Sequence, residues 1–522
     1  MRLIRLRIAD FHPGQELLLQ FGEPSKDQMN LAFLVGPNGS GKSRVLEALG
    51  RISSHLDAGL PVGLDFDLEY ELGLRRILVT TRLPELADNP KQAPPPLERI
   101  NAWVLVDDEN TGAWRSAHVS TEWGASSLGR LLPSHVIGLS NGPASRLDWA
   151  LRGAVADSLA QRQESEAEQP AAGISPAEWE SYTKAERLQA ARERRLAGSW
   201  SRCVALSGEE LALAVLTILC HPSDLGAGTK IRDELLKRVG LNAKSSLLAF
   251  TFEVSAQKRA ELLPDSRDKF DELLSQSVRR VALAAQTDPE SEEEAERDER
   301  IVFEITPELR SWVSGSADTP FIWFRQLLRW LKAGALRSVR MVLRKKGSRD
   351  LLLDSDFSDG EFLLVGRYGL LLLLREHENC LVLFDEPETH FNDQWKVNLV
   401  YDLARIFDST PAQVVIATHS DITLSDADRE AVSILDPARR GDGPVMRGRR
   451  PPLSPLGAER SGISAAVFGI DPAMGKKAME EIDEAITSKD RVAILETLER
   501  VGPGYQQFRL HQALREARGD AG

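Results

Sequence analysis

The chain has 522 residues, with 65 Lys and Arg against 78 Asp and Glu, a formal net charge of −13 at pH 7. Its 42% hydrophobic and 27% charged residues exclude an intrinsically disordered chain, and no apolar run reaches the ~18 residues that a membrane crossing needs. The acidic total argues against a uniformly basic nucleic-acid binder, and three cysteines are too few for a disulfide framework or a zinc knuckle. The N-terminal MRLIRLRIADF has no signal-peptide apolar core, so a cytoplasmic location is expected.

Arg2–Asp10 alternates as a half-buried strand, with Leu17–Phe21 as its hairpin partner. Asn30–Val35 (NLAFLV) is continuously apolar, the pattern of a strand covered on both faces. A glycine loop follows at once, and Arg44–Leu56 then has helical spacing. Leu60–Tyr70, Arg75–Thr80 and Ala102–Asp107 read as short strands, and Leu131–Asn141 as another buried one. Glu164–Arg195 reads as a solvated helix and Gln286–Arg300 as an acidic loop or helix tip. Between them, Gly208–Leu219 and Asp265–Leu283 read as helices. No heptad is sustained over many turns, which argues against a long coiled-coil arm. Beyond Ile301, strands over Ala335–Lys345 and Asp350–Leu353 precede a helix over Glu361–Arg375. Cys380–Phe384 and Gln413–Thr418 are buried strands flanking a helix over Asp393–Phe407; Ala431–Leu435 is a further strand, and the chain from Ser461 is polar and helical.

Four motifs carry chemistry. Gly36-Pro37-Asn38-Gly39-Ser40-Gly41-Lys42-Ser43 is a full G-x-x-x-x-G-K-S between a strand and a helix. Its glycines let successive amides face one anion, Lys42 reaches the β- and γ-phosphates, and the Ser43 hydroxyl suits Mg²⁺. In Cys380–His390 (CLVLFDEPETH) an apolar strand ends in two acids. There Asp385 suits a metal, and Glu386 suits a base that deprotonates the attacking water. His419 follows the next buried strand, where an imidazole can touch a γ-phosphate. Ser358-Asp359-Gly360-Glu361 opens a helix ahead of the acid pair and forms either a second anion site or a plain cap. A similar string, Leu206-Ser207-Gly208-Glu209, shows how cheaply such a cap arises, and taken alone either one reads as a cap.

In order, these motifs resemble the ABC-type P-loop ATPases, and the D-E-P-E-T-H form is similar to the SMC, RecF and OLD-like branch. The resemblance covers roughly residues 1–50 and 355–436 and selects Ser358 over Ser207 as the signature serine. It implies an α/β head with a mixed sheet, interrupted by a mainly helical insertion. The expected organisation is 1–150 and 321–440 as the two halves of the head, 151–320 as the insertion and 441–522 as a helical tail. It further implies that Gly36, Pro37, Asn38, Gly39, Ser40, Gly41, Lys42, Ser43 and Arg44 bind ATP, and that Ser43 and Asp385 hold Mg²⁺. Glu386 and His419 would be catalytic, and Ser358 and Gly360 would contact the nucleotide of a second protomer in a head-to-tail dimer. The signature departs from the family in having Phe357 and Asp359, and no glutamine is assigned to the Q-loop.

The compact insertion resembles the ATPase subunits of anti-phage defence systems such as Septu, retron-associated ATPases and PARIS. That resemblance implies an ATPase that senses or regulates a separate effector, plausibly a nuclease. The later Asp426-Ala427-Asp428 suits a helix N-terminus better than nuclease metals. A RecF-like repair ATPase on duplex DNA is the alternative. Arg337, Arg340, Arg344, Lys345, Lys346, Arg349 and the stretch Arg439–Arg450 suit phosphate contact and ordinary solvated charge equally. A transporter subunit, with a membrane partner, is disfavoured by the distance between the glycine loop and the acid pair.

Overall fold

A computed structural model describes residues 1–22, 29–82, 101–107, 114–116, 127–140, 147, 149–153, 202–206, 208–221, 225, 227–262, 264–283, 298–408, 412–436, 445–469, 475–502 and 504–519. The chain divides into two compact units, Met1–Leu456 and Gly457–Gly522.

The first unit is a mixed α/β structure whose described strands sort into three sheets, one parallel, one antiparallel and one mixed. Numbered in chain order, β3 (Asn30–Val35), β8 (Val136–Leu139), β9 (Cys203–Leu206), β15 (Leu381–Asp385), β16 (Gln413–Ala417) and β17 (Val432–Ile434) form a six-stranded sheet. Its order is β17-β3-β16-β15-β8-β9, and every pair is parallel. Apart from Asn30, Asp385 and Gln413 at strand ends and Ser433 in β17, these strands are apolar, because both faces are covered.

A seven-stranded sheet has the order β18-β2-β1-β4-β5-β6-β7. It contains β1 (Arg2–His12), β2 (Gln15–Gln20), β4 (Phe66–Leu72), β5 (Arg75–Thr80), β6 (Trp103–Asp107), β7 (Arg115–Ser116) and β18 (Val445–Arg447). A five-stranded antiparallel sheet runs β11-β12-β10-β13-β14, from β10 (Leu247–Val254), β11 (Arg279–Ala282), β12 (Glu299–Glu304), β13 (Leu336–Leu343) and β14 (Leu352–Leu353). Tight turns join β1 to β2 and β4 to β5 as antiparallel pairs, whereas parallel neighbours need long crossovers.

Helices of ten or more residues are α1 (Lys42–Ala58), α2 (Gly208–Cys220), α3 (Ala227–Arg238), α4 (Pro264–Ser275), α5 (Pro307–Ser316), α6 (Pro320–Lys332), α7 (Asp359–Leu374) and α8 (Asp393–Ile406). The second unit adds α9 (Lys476–Ser488), α10 (Arg491–Arg500) and α11 (Tyr505–Gly519) around Ile482, Ala485, Ile494, Leu510 and Ala513. One core joins the parallel and seven-stranded sheets to α1, through Leu6, Ile8, Leu34, Val45, Leu49, Leu68, Ile77 and Val415. Gln413 stitches these layers: its Oε1 accepts from the Leu3 amide at 3.0 Å, and its Nε2 donates to the Asn30 carbonyl at 2.9 Å. Helices α2 and α7 are buried nearly all round, and Gly366 and Gly369 let them approach closely. A Cβ on either would lie 3.0 Å from Leu211 or Ile218.

Several expectations are corrected. The stretch 151–320 carries strands beside its helices: β9 joins the parallel sheet, and β10, β11 and β12 build most of the antiparallel one. Helix α4 stops at Ser275, and the chain then turns so that the Val278 amide meets the Val302 carbonyl and β11 pairs with β12. Sheet pairing overrides the helical pattern there. The strand expected from Leu60 starts at Phe66, because the Leu60 amide closes α1 on the His55 carbonyl. Leu131–Asn141 supplies only the four residues of β8. Helices α5 and α6, where no helix was expected, open on Thr306-Pro307 and Thr319-Pro320, each threonine accepting from the amide three residues on. The first compact unit extends to Leu456, and within it β18 pairs with β2. Glu164–Arg195, Ser207 and most of Gln286–Arg300 lie outside the described residues.

Candidate active site

The chemistry gathers at the carboxyl ends of β3, β15 and β16, three adjacent strands of the parallel sheet. After β3 the chain turns through Gly36 (φ 146°), Gly39 (φ 80°) and Gly41 (φ 95°), angles that L side chains rarely adopt. Two of these glycines also meet close neighbours: a Cβ on Gly36 would lie 2.2 Å from the Leu435 carbonyl, and one on Gly41 would lie 2.6 Å from the Phe11 ring. Pro37, Asn38 and Gly39 face solvent, while Ser40 is buried and its hydroxyl has no partner among the described residues. No side chain caps α1, so its positive end opens onto the loop.

Lys42 is 6% exposed and folds back, donating to the Gly36 and Pro37 carbonyls at 3.0 and 3.2 Å. Burial lowers its pKa, against the pull of Glu386 and Asp385. The Ser43 hydroxyl donates to Asp385 Oδ1 at 2.9 Å, joining residues 342 positions apart. Burial, with the adjacent Glu386 charge, raises the Asp385 pKa against that hydrogen bond and Lys42. The Arg44 guanidinium lies over the Phe11 ring, 5.3 Å from its centroid.

Beyond Asp385, Glu386 has φ 50°, a left-handed backbone that costs a non-glycine residue roughly 1 kcal/mol or more. Its amide donates to the Ala417 carbonyl at 2.9 Å, and its Oε1 lies 3.4 Å from His419 Nε2. Burial and the Lys42 charge keep the His419 pKa below the usual value, against Glu386, so the ring stays neutral near pH 7.

Ser358 and Gly360 are placed elsewhere, at the opening of α7. Ser358 and Glu361 form a reciprocal capping box. The Lys345 ammonium donates to Glu361 Oε1 at 2.8 Å and lies 4.8 Å from the centroid of Phe357. Burial works against it, yet Lys345 and the Ser358 amide hold the Glu361 carboxyl below its ordinary pKa. Gly360 packs on the loop after β15, where a Cβ would lie 2.4 Å from the His390 carbonyl.

The other S-x-E string takes a structural part. Glu209 accepts from the Val339 amide at 3.0 Å and pairs with Arg340 at 3.2 Å. Three further residues went unnoticed in the sequence. Arg367 of α7, 2% exposed, donates to the Pro387 carbonyl, and the Thr418 hydroxyl donates to the buried Glu388 carboxylate. The only local hint was the second acid of D-E-P-E.

Among the described residues no cluster of three or more His, Cys, Asp and Glu converges as a metal cage, and no helix is long and apolar enough to cross a membrane. The Ser43 hydroxyl with the Asp385 carboxylate nevertheless fits Mg²⁺, which takes one or two protein oxygens and completes its shell with phosphates and water. The partnerless Ser40 hydroxyl and the uncapped helix end fit a phosphate.

No family model and no curated protein matches the chain. Among solved structures, it is similar to an SMC head domain from Thermotoga maritima at 12% identity, covering 83% of this chain and 93% of that one with a TM-score of 0.28. It is also similar to an Smc head with an extended coiled coil, bound to the C-terminal domain of ScpA and derived from Pyrococcus furiosus. That match has 13% identity, covers 83% of this chain and 94% of the other, and has a TM-score of 0.26. Scores this low carry no weight for this chain, whose site stands on its own geometry.

Proposed function

We propose that this chain is an ABC/SMC-like ATPase that binds ATP with Mg²⁺ and hydrolyses it between two head-to-tail protomers. The observation that carries the reading is the Ser43–Asp385 hydrogen bond. It brings a hydroxyl at the start of α1 onto an acid at the end of β15, with Lys42, Glu386 and His419 alongside.

ATP with Mg²⁺ would supply an electrophilic γ-phosphorus, its charge neutralised by the metal on Ser43 and Asp385. The loop amides and Lys42 bind the phosphate oxygens. Glu386 orients a water and takes its proton as the new P–O bond forms and the bond to the departing ADP oxygen breaks. Neutral His419 donates one ring N–H to the transferring group and holds Glu386 through its neighbourhood. Ser358, capped and fixed by Glu361 and Lys345, presents a helix N-terminus for the partner's nucleotide.

The resemblance to defence ATPases supports giving the dimer the task of regulating a separate effector, such as a nuclease. For the RecF-like alternative, the basic cluster has acids of its own: Arg337 pairs with Asp298, Arg340 with Glu209, and Lys345 with Glu361. That pairing weighs against a nucleic-acid face there.

Two variants test the reading. Lys42→Ala should abolish binding of a fluorescent ATP analogue. Glu386→Gln should retain ATP, lose about 10²–10⁴-fold in hydrolysis and elute as a dimer in ATP. Hydrolysis by Glu386→Gln at the wild-type rate would remove Glu386 from the role of base.

A further inference from the structure

Glu386 and His419 belong to different loops, and Glu386 has a backbone that a glutamate does not adopt unaided. Something must hold both loops. The Glu386 amide reaches only the end of β16, at Ala417, and the Glu386 carbonyl accepts from Thr389 at 3.1 Å. Two residues further on, Glu388 is 7% exposed, and Thr418, next to His419, is fully buried. The Thr418 hydroxyl donates to Glu388 Oε1 and accepts from the Ser420 amide at 2.9 Å, while the Thr418 amide donates to the Leu34 carbonyl at 3.1 Å. One hydroxyl therefore fixes the chain on both sides of His419 and ties it to the loop that carries Glu386. Between Glu386 and Glu388, the Pro387 carbonyl accepts from buried Arg367 of α7, the helix that begins at Ser358.

We infer that Glu388 and Thr418 form a buried clamp that positions Glu386 against His419, with Arg367 linking the clamp to the signature helix. Neither residue of the clamp touches the reacting atoms; both are positioning residues. A buried carboxylate is costly unless its oxygens are engaged, and a solvent-exposed acid would serve a simple loop equally well. Its placement two residues from the base and one residue from the histidine gives that cost a purpose. This inference rests on the ATPase reading above.

The test measures kcat, nucleotide Kd and melting temperature for the full chain with MgATP. Thr418→Val keeps the shape and removes the hydroxyl; it should lower kcat about 10- to 100-fold while Kd stays within about twofold, the loss that misplacing a reacting group causes. Thr418→Ser, which restores the hydroxyl, should regain most of the rate. Glu388→Met, which removes both acceptor oxygens at similar length, should fall as Thr418→Val does, and the double variant should be no slower than the slower single one, because both break one unit. Should Thr418→Val give no folded protein, Glu388→Met is read in the same way.

An unchanged kcat in Thr418→Val, multiplying losses in the double variant, or a Kd that weakens in step with kcat would each overturn the clamp. The two readings separate cleanly. A wild-type chain that neither binds nor hydrolyses ATP overturns the ATPase reading and the clamp with it. An active wild type with undiminished variants overturns the clamp alone.

Discussion

The six-stranded parallel sheet and the five-stranded antiparallel sheet manage their polar groups in opposite ways. In β15, Leu381, Val382, Leu383 and Phe384 are all 1% exposed or less, and polarity begins only where the strand ends, at Asp385. The strands of the other sheet alternate. Phe250, Phe252, Ile301, Phe303, Val339 and Met341 are buried, while Thr251, Glu253, Arg300 and Arg340 occupy the outer positions of the same paired rows. There Glu253 and Arg300 pair across the strands at 2.6 Å. A sheet covered on both faces has nowhere to put a charge except its ends, and parallel strands all end on the same side. Converging chemistry is a consequence of that burial, whereas a sheet with one wet face spreads its charges and pairs them off.

Substitutions can break this contrast. The largest effect is expected in the antiparallel core: Phe303→Ala, which removes a ring stacked 4.6 Å from Phe250, should cost about 3–5 kcal/mol in urea unfolding. The folded fraction should still bind ATP with unchanged Kd; a weakened Kd would mean that the two sheets are not separable. Next, Asp385→Asn at the parallel edge should lower hydrolysis about 100-fold, near 2.7 kcal/mol, with a melting temperature close to wild type.

A smaller effect comes from the opposite, amino end of the parallel sheet. His135 precedes β8, and burial, helped by His377, Arg325 and Arg202, pushes its pKa down to about 3. The unfolded imidazole titrates near 6.5, so between about pH 6.5 and 3 the unfolded chain carries the extra proton. The stability this neutral ring contributes is complete above about pH 6.5 and declines by up to ~1.4 kcal/mol per pH unit below it. His135→Asn should flatten that acid limb in denaturant titrations at pH 7, 6 and 5; an unaltered slope would refute the assignment. Smallest of all, Arg300→Ala on the wet face should change stability by less than about 1 kcal/mol, since its pair with Glu253 is half in solvent.

How much of this was legible depended on distance along the chain. Asn30–Val35 and Arg75–Thr80 are strands with the same ends in sequence and structure: Gly36 stops the first apolar run, and the turn through Gly73 opens the second. The glycine loop and the acid pair are contiguous strings whose chemistry is local, and their elements fall where the motifs require. Strand β9 was not legible: four residues, Cys-Val-Ala-Leu, fit a helix as well as a strand until β8 lies beside them. Strand β11 is exposed along its length, so no apolar alternation marks it as a strand. Neither Glu388 nor Thr418 is an unusual residue in its place; only a hydrogen bond across 30 positions makes them a pair.

The neighbours of β3 have a consequence for synthesis. Both strands that flank it, β16 and β17, are made last, and β16 begins at Gln413. At about 5–20 residues per second, a ribosome would take roughly 20–75 s to produce the first of them after finishing β3. For that time this apolar strand of the candidate site has two open edges and no sheet to join, which makes the nascent chain a natural client for holdase chaperones. Glycine loop and acid pair meet only at the end of that wait, so under the proposed reading nucleotide binding would double as a report that these distant stretches of chain have found each other.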